Sequence, residues 1–288
     1  MKTRRVMAFL LAVCMILSFP LMGFAEEAAS IPDGKLKSAL RELLQKDASS
    51  ELLPSELATL TGDIDLSDLG IKDIRGIEYL TEVSGIDLSG NDIETMSSKM
   101  DRMLKLERLD LSRNEKRYDF PGEVIKIPHL KDLSLAASKI RLVPKSLKEM
   151  TALENLDLSA NRIDDFPSAL LDMQLVNLNI DYNFLDLREG KSDRNDIDNM
   201  SANVSGEYLA FRQFGRLENL TFYTVSGKIV VEWDGIDDID FYDGTTASVQ
   251  GYSVLVSGDY VTETGSSKRS VQIDAAPGTT YQVSVSPS

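Results

Sequence analysis

The stretch Leu153–Ile163, LENLDLSANRI, decides the fold. Leu153, Leu156, Leu158 and Ile163 frame Asn161, so the spelling L-x-x-L-x-L-x-x-N-x-L holds at every anchor. The fourth position recurs at Ile64, Ile86, Leu109, Leu133, Leu156 and Leu178, in steps of 22, 23, 24, 23 and 22 residues. Within each copy L-x-L alternates apolar and polar, as a short strand with one buried face requires. Asn91, Asn114, Asn161 and Asn183 end those strands, where an amide can satisfy backbone groups of the turn. One unit cannot bury its apolar side alone, so the units stack and share a core. Stretches such as Phe166–Leu171 return the chain along the convex side in short helical turns.

A fixed period of this length with this spelling resembles the leucine-rich repeats. The resemblance spans 61–185 and implies an α/β leucine-rich-repeat solenoid of six repeats. Leu69 stands in the asparagine position of the first copy and Ser138 in that of the fourth; Lys116 replaces an apolar anchor in the third. Looser packing is expected there, with a bulge on the convex side.

Residues 1–25 read as a secretory signal peptide: Lys2, Arg4 and Arg5, then apolar Val6–Leu17, then Gly23-Phe24-Ala25 before Glu26. Ser18 and Pro20 interrupt the apolar run, which is too short to span a membrane. The single cysteine, Cys14, lies inside it and follows Val13, where a lipoprotein needs a small residue. Removing the leader leaves no cysteine for a disulfide. The leader carries three of the positive charges in a chain of net charge −15, so the remainder sits near −18. Such a charge argues against nucleic acid and anionic lipid as partners, and no second apolar run of membrane length follows. The expected location is extracellular, whether released or associated with the cell surface.

Residues 26–60 form a helical N-terminal cap, with Asp33 capping a helix of Leu36, Leu40, Leu43 and Leu44, and Ser55 capping a second. The wording IPDGKLKSALRELL resembles the cap of secreted leucine-rich-repeat proteins of Gram-positive bacteria, a group that includes the internalins. Residues 186–216 resemble their closing segment and linker, with a helix over 192–202. From 217 to 288 the runs KIVVEW, VQGYSVLV, KRSVQI and TTYQVSVS alternate between turn signals, as in an all-β immunoglobulin-like sandwich. Trp233, Gly251-Tyr252 and the stretch with Tyr281 resemble a fibronectin type III module whose last strand is missing.

Three polar columns are expected on the concave face. The central one reads Asp65, Asp87, Asp110, Ser134, Asp157, Asn179; one neighbour reads Ser67, Ser89, Ser112, Ala136, Ser159, Asp181; the other reads Asp63, Gly85, Arg108, Asp132, Asn155, Asn177. With strands about 4.8 Å apart, carboxylates would form a ladder suited to a basic peptide, a cation or a hydroxyl-rich glycan. The alternative is that Asp and Ser are solvated consensus residues. Binding surfaces enrich aromatics and Arg, and only Arg108 stands in these columns.

Asp237, Asp238, Asp240 and Asp243 sit in an acidic loop that offers calcium oxygens, yet DDIDFYDG misses the D-x-D-x-D-G spacing and has no closing Glu. Solvated acid is the competing reading there and at Asp193–Asp198. No cofactor motif occurs. The one histidine, His129, borders a repeat, and H-E-x-x-H, G-x-S-x-G and phosphate-loop patterns are absent. Asn199, Asn203 and Asn219 head N-x-S/T triplets, which matter only in a eukaryotic secretory route. The resemblance implies a non-catalytic module binding a protein ligand at the bacterial surface, with cell-wall glycan or a calcium-dependent role as the alternative.

Overall fold

A computed structural model describes residues 26–116, 119–187, 190–210, 213, 221–225, 228–234, 238–240, 246–248, 251–256, 259–265, 269–274 and 283–287. The leader expected at 1–25 lies outside them. No helix among the described residues is long and apolar enough to cross a membrane.

The chain opens with α1 (Gly34–Leu43), whose Leu36 and Leu40 are fully buried. Asp33 starts it: Oδ1 accepts from the N–H groups of Lys35 at 2.8 Å and Leu36 at 3.1 Å. Its other oxygen accepts from Lys72 and Asp73 in the first repeat, at 2.8 and 3.2 Å. One carboxylate thus caps the helix and ties it to the array. Burial opposes its charge, but the N–H groups of Lys72, Leu36, Lys35 and Asp73 outweigh that and hold the carboxyl below its ordinary range. A folded-state pKa below the unfolded one contributes stability above the usual carboxylate range, lost as pH falls through the folded value. Asp33→Ala is therefore expected to cost about 1–2 kcal/mol at neutral pH, and the gap in urea midpoint should close below about pH 4.

Helix α2 (Pro54–Leu57) has Leu53 at its N-cap and begins two residues earlier than a cap at Ser55 would set it. Pro54 presets the first helical φ, Glu56 accepts from the Leu53 N–H at 3.0 Å, and Ser55 bonds Glu26 instead of capping.

Seven parallel strands follow in chain order: β1 (Gly62–Asp65), β2 (Val83–Asp87), β3 (Arg108–Asp110), β4 (Asp132–Ser134), β5 (Asn155–Asp157), β6 (Asn177–Asn179) and β7 (Tyr208–Leu209). The six fourth-position residues pair in register from Ile64 to Leu178. Short 3-10 turns at Ile77–Tyr79, Met100–Arg102, Gly122–Lys126, Lys145–Glu149 and Ser168–Asp172 bring the chain back. One apolar core runs from Ala29 to Ala210.

Inside that core the strand-end amides form a ladder. Asn161 Nδ2 donates to the carbonyls of Leu135 and Leu158, and its Oδ1 accepts from the N–H groups of Ser138 and Ile140. Asn91 repeats the arrangement in full, and Asn114 and Asn183 repeat it with two carbonyls and one N–H each among the described residues. Ser138 is too short to do the same. Its Oγ reaches Leu111 and Ala136, and a cavity of about 20 Å³ lies beside it, lined by Ile93, Met96, Leu111 and Ile140 among others. Looser packing was expected in the third copy, at Lys116, and Asp119 and Pro121 of that copy also line this cavity; residues 117 and 118, which bear on the bulge, lie outside the described residues.

Strand β7 was not expected. Its Tyr208 pairs with Leu178, a step of 30 residues, because α3 (Ser192–Met200) replaces the usual 3-10 turn. Tyr208 and Ala210 take the core positions, and Gln213 takes the asparagine position, accepting from Asn183 and donating to Ile180 and Ala210. The Tyr208 hydroxyl donates to the Ile197 carbonyl at 3.0 Å, and burial pushes its pKa up. Asp193, read as solvated, is buried instead: it accepts from the N–H groups of Phe166 and Asp186, which end the last repeat.

The described residues beyond 220 form antiparallel strands: β8 (Thr221–Val225), β9 (Lys228–Glu232), β10 (Asp238–Asp240), β11 (Thr246–Ser248), β12 (Gly251–Val256), β13 (Asp259–Gly265), β14 (Ser270–Asp274) and β15 (Val283–Pro287). They pair as β14-β9-β8, β13-β12-β15 and β10-β11.

Candidate functional site: the concave groove

The polar residues between the paired core leucines line a groove of about 700 Å³ across β1–β7. Asp63, Asp65, Asp87, Asp110, Asp132, Asp157 and Glu207 face it, against the single cation Arg108. Parallel register stacks the central column without a slip from Asp65 to Asn179, and β7 extends it with Leu209, paired to Asn179. The column therefore reads acid, acid, acid, hydroxyl, acid, amide, leucine.

Each central carboxylate is held by its own strand end. The Oδ1 atoms of Asp65, Asp87, Asp110 and Asp157 accept the N–H two residues on, from Ser67, Ser89, Ser112 and Ser159, at 2.7–2.9 Å. Asn179 does the same toward Asp181 at 3.2 Å. This is the Asx turn, and it explains why Asp recurs there without reference to a ligand. It uses one oxygen of each carboxylate. At Asp65 the Ser67 hydroxyl and N–H together lower the pKa.

The residue after each member of the second column then turns left-handed, with φ of 54° at Asp68, 66° at Gly90, 57° at Arg113, 51° at Ala137, 53° at Ala160 and 58° at Tyr182. The strand ends there, which corrects two expectations. Ser89 is buried rather than projecting, and so is Asp181, at 4% exposure, so Asp181 does not line the groove. Left-handed residues that are not glycine leave little mark in a sequence.

The third column is largely occupied with itself. Arg108 reaches across Gly85 to Asp63 at 2.5 Å. Gly85 permits this: a Cβ there would meet Asp63 Oδ1, and Arg108 Nε at 3.3 Å. The pair lowers the Asp63 pKa and raises that of Arg108, each chiefly through their hydrogen bond. Beyond it, Asn155 donates to Asp132, Asn177 donates to Asn155 at 2.6 Å, and the Glu207 N–H donates to Asn177 at 2.7 Å. Arg108 and Asp132 are thus edge struts, while Asp65, Asp87, Asp110 and Asp157 carry no cation among the described residues.

No group of three or more metal-ligating side chains occurs among the described residues. Of the calcium candidates, Asp238 and Asp240 stand in strand β10, paired with Ser248 and Thr246, rather than in an irregular loop. Asp237 and Asp243 lie outside the described residues.

The family model described as the Endo-beta-N-acetylglucosaminidase EndoS LRR domain matches residues 31–180. Internalin C2 of Listeria monocytogenes has a similar fold, with 22% identity, a TM-score of 0.53, and coverage of 67% of this chain and 81% of its own. A leucine-rich-repeat protein of Leptospira interrogans aligns at 26% identity and a TM-score of 0.41, over 51% of this chain and 35% of its own. The functional domain of InlJ from Listeria monocytogenes, which includes a cysteine ladder, aligns at 18% and 0.44, over 57% and 42%.

Proposed function

The chain belongs to the family of the EndoS leucine-rich-repeat domain, and from that premise we propose a non-catalytic protein-recognition module that works at or outside the bacterial surface. The observation that carries this reading is the groove: a preformed, open concavity of about 700 Å³ on the sheet face, with its side chains locked in register by backbone N–H groups. Preorganisation of this kind reduces the ordering cost of binding. The family is named for part of a glycosidase, yet a general acid needs a carboxyl withdrawn from water, and the column here stands in an open groove. Recognition accounts for these acids better than turnover.

The strand orders β14-β9-β8 and β13-β12-β15 support an immunoglobulin-like sandwich over 217–288, which we assign as a spacer. Export through the 1–25 leader is part of the same reading.

The test immobilises purified protein and exposes it to envelope extracts of its own organism and of host cells, intact and protease-digested. Ser134→Trp places an indole in the middle of the groove whatever the ligand's chemistry. Retention that digestion abolishes and Ser134→Trp abolishes supports protein recognition at this face. Retention that survives digestion replaces the protein ligand with a glycan, and retention indifferent to Ser134→Trp moves the site elsewhere.

A further inference from the structure

The acids of this protein fall into two sets. Outside the groove many are neutralised by a neighbour: Asp68 by Arg113, Asp73 by Arg75, Asp164 by Arg141, Asp172 by Lys148. In the central column Asp65, Asp87, Asp110 and Asp157 have no such cation among the described residues. The same column ends at Leu209, an apolar side chain 36% exposed at the groove's far end.

We propose that the groove docks an amphipathic helix of a partner protein, laid across the strands, with lysine or arginine over Asp65, Asp87, Asp110 and Asp157 and an apolar residue over Leu209. This rests on the recognition reading above and names the partner's chemistry.

Charge complementarity chooses a basic segment, and the spacing of the first three acids favours a helix. Strands about 4.8 Å apart put the first three acids over about 9.6 Å. In a helix, residues three and seven apart lie about 4.5 and 10.5 Å on. Alternate residues of an extended chain advance about 6.7 Å each, so their third contact overshoots by about 4 Å. Asp157 lies about 19 Å from Asp65, near the helical residue at i+14, about 21 Å on, and Leu209 about 29 Å away, near the one at i+18, about 27 Å on. All these positions share one helix face. Ser134 leaves a gap where a basic residue is not required. The order from acids to leucine fixes the direction of the helix.

The probe is a labelled synthetic peptide of about 22 residues, alanine-rich, with lysines at i, i+3, i+7 and i+14 and leucine at i+18, titrated onto the full-length protein by fluorescence anisotropy. Asp87→Asn with Asp110→Asn removes two charges and keeps the turns, since Asn179 already makes that turn with an amide oxygen. The expected result is saturable binding, weakened at least tenfold by the double variant and at least tenfold when the same lysines are spread around the helix. Leu209→Ser should weaken the leucine peptide several-fold and leave a peptide with serine at i+18 unchanged. Absence of binding, equal binding of the spread-lysine peptide, or unchanged affinity in the double variant would overturn the proposal. Loss of envelope retention with Ser134→Trp alongside full retention by the double variant would keep the recognition reading and remove the basic helix.

Discussion

Asn161→Ala is expected to lower the unfolding free energy by about 4 kcal/mol or more, a larger loss than most surface or core substitutions cause. The side chain is 3% exposed. It gives hydrogen bonds to the carbonyls of Leu135 and Leu158 and takes them from the N–H groups of Ser138 and Ile140, all at 2.8–3.0 Å. Alanine would strand the Leu135 carbonyl and the N–H groups of Ser138 and Ile140 inside a core, while the Leu158 carbonyl keeps Asn183, and each buried polar group left unmade costs about 1–3 kcal/mol. Because the fold is a stack of nearest-neighbour contacts, the loss falls on the seam between the fourth and fifth repeats. Urea unfolding followed by far-UV circular dichroism measures it. A loss near 1 kcal/mol, the scale of an exposed turn bond, would show that water replaces the amide and that the ladder is ornamental. The opposite change is available one step back. Among the described residues, Leu88, Leu111, Leu158 and Ile180 each accept from two ladder side chains, whereas Leu135 accepts from Asn161 alone. Ser138→Asn should supply the missing donor, fill the cavity of about 20 Å³, and stabilise the chain by about 1 kcal/mol.

The ladder also shows what a sequence can reveal of such a fold. Asn91, Asn114, Asn161 and Asn183 announce themselves because one chemical demand, an amide bridging two turns, recurs at a fixed interval. The seventh rung meets that demand with Gln213, and its strand presents Tyr208 and Ala210 in place of two leucines after a helix has lengthened the step to 30 residues. Neither the spelling nor the period survives, so the rung is visible only once the partners are placed. The central carboxylates were legible as a column because register follows from the repeat. Their use of one oxygen in a turn was not, because alternation of residue types says nothing of where the strand ends. Asp181 illustrates the cost of that gap: it continues the pattern on paper and lies buried just before a left-handed bend at Tyr182. The edge pair of Arg108 and Asp63 depended on an absence, the missing side chain of Gly85 between them.

Gly76→Ala should cost about 3 kcal/mol, and it tests how the N-terminal segment is fastened to the array. Gly76 has φ of 104° and ψ of −15°, a conformation that side-chain-bearing residues hold only under strain of about 1–3 kcal/mol. Space is short as well. A Cβ there would lie 2.6 Å from Ile31 Cγ1, 3.0 Å from the Ser30 carbonyl oxygen and 3.3 Å from Ile31 Cα. Two of those atoms are backbone, so a rotamer change of Ile31 does not relieve the contact, and the strand of chain at 29–31 must lift. Ile31 is 7% exposed and Ala29 bonds the Leu52 carbonyl at 2.7 Å, so lifting it loosens the covering of the first repeat. The Gly76 N–H also donates to Glu78 at 2.7 Å, a carboxylate 5% exposed that would lose its partner if the turn shifted. Gly34→Ala is the matched control, because nothing lies within 4 Å of its Cβ and alanine in a helix favours folding by about 0.5–1 kcal/mol. Urea midpoints should fall for Gly76→Ala and hold or rise for Gly34→Ala, with protease cleaving the Gly76 variant first near residues 26–33. Equal midpoints and an unchanged cleavage pattern would mean that the segment adapts at no cost, and that Asp33, with its bonds to Lys72 and Asp73, holds the lid without help from this contact.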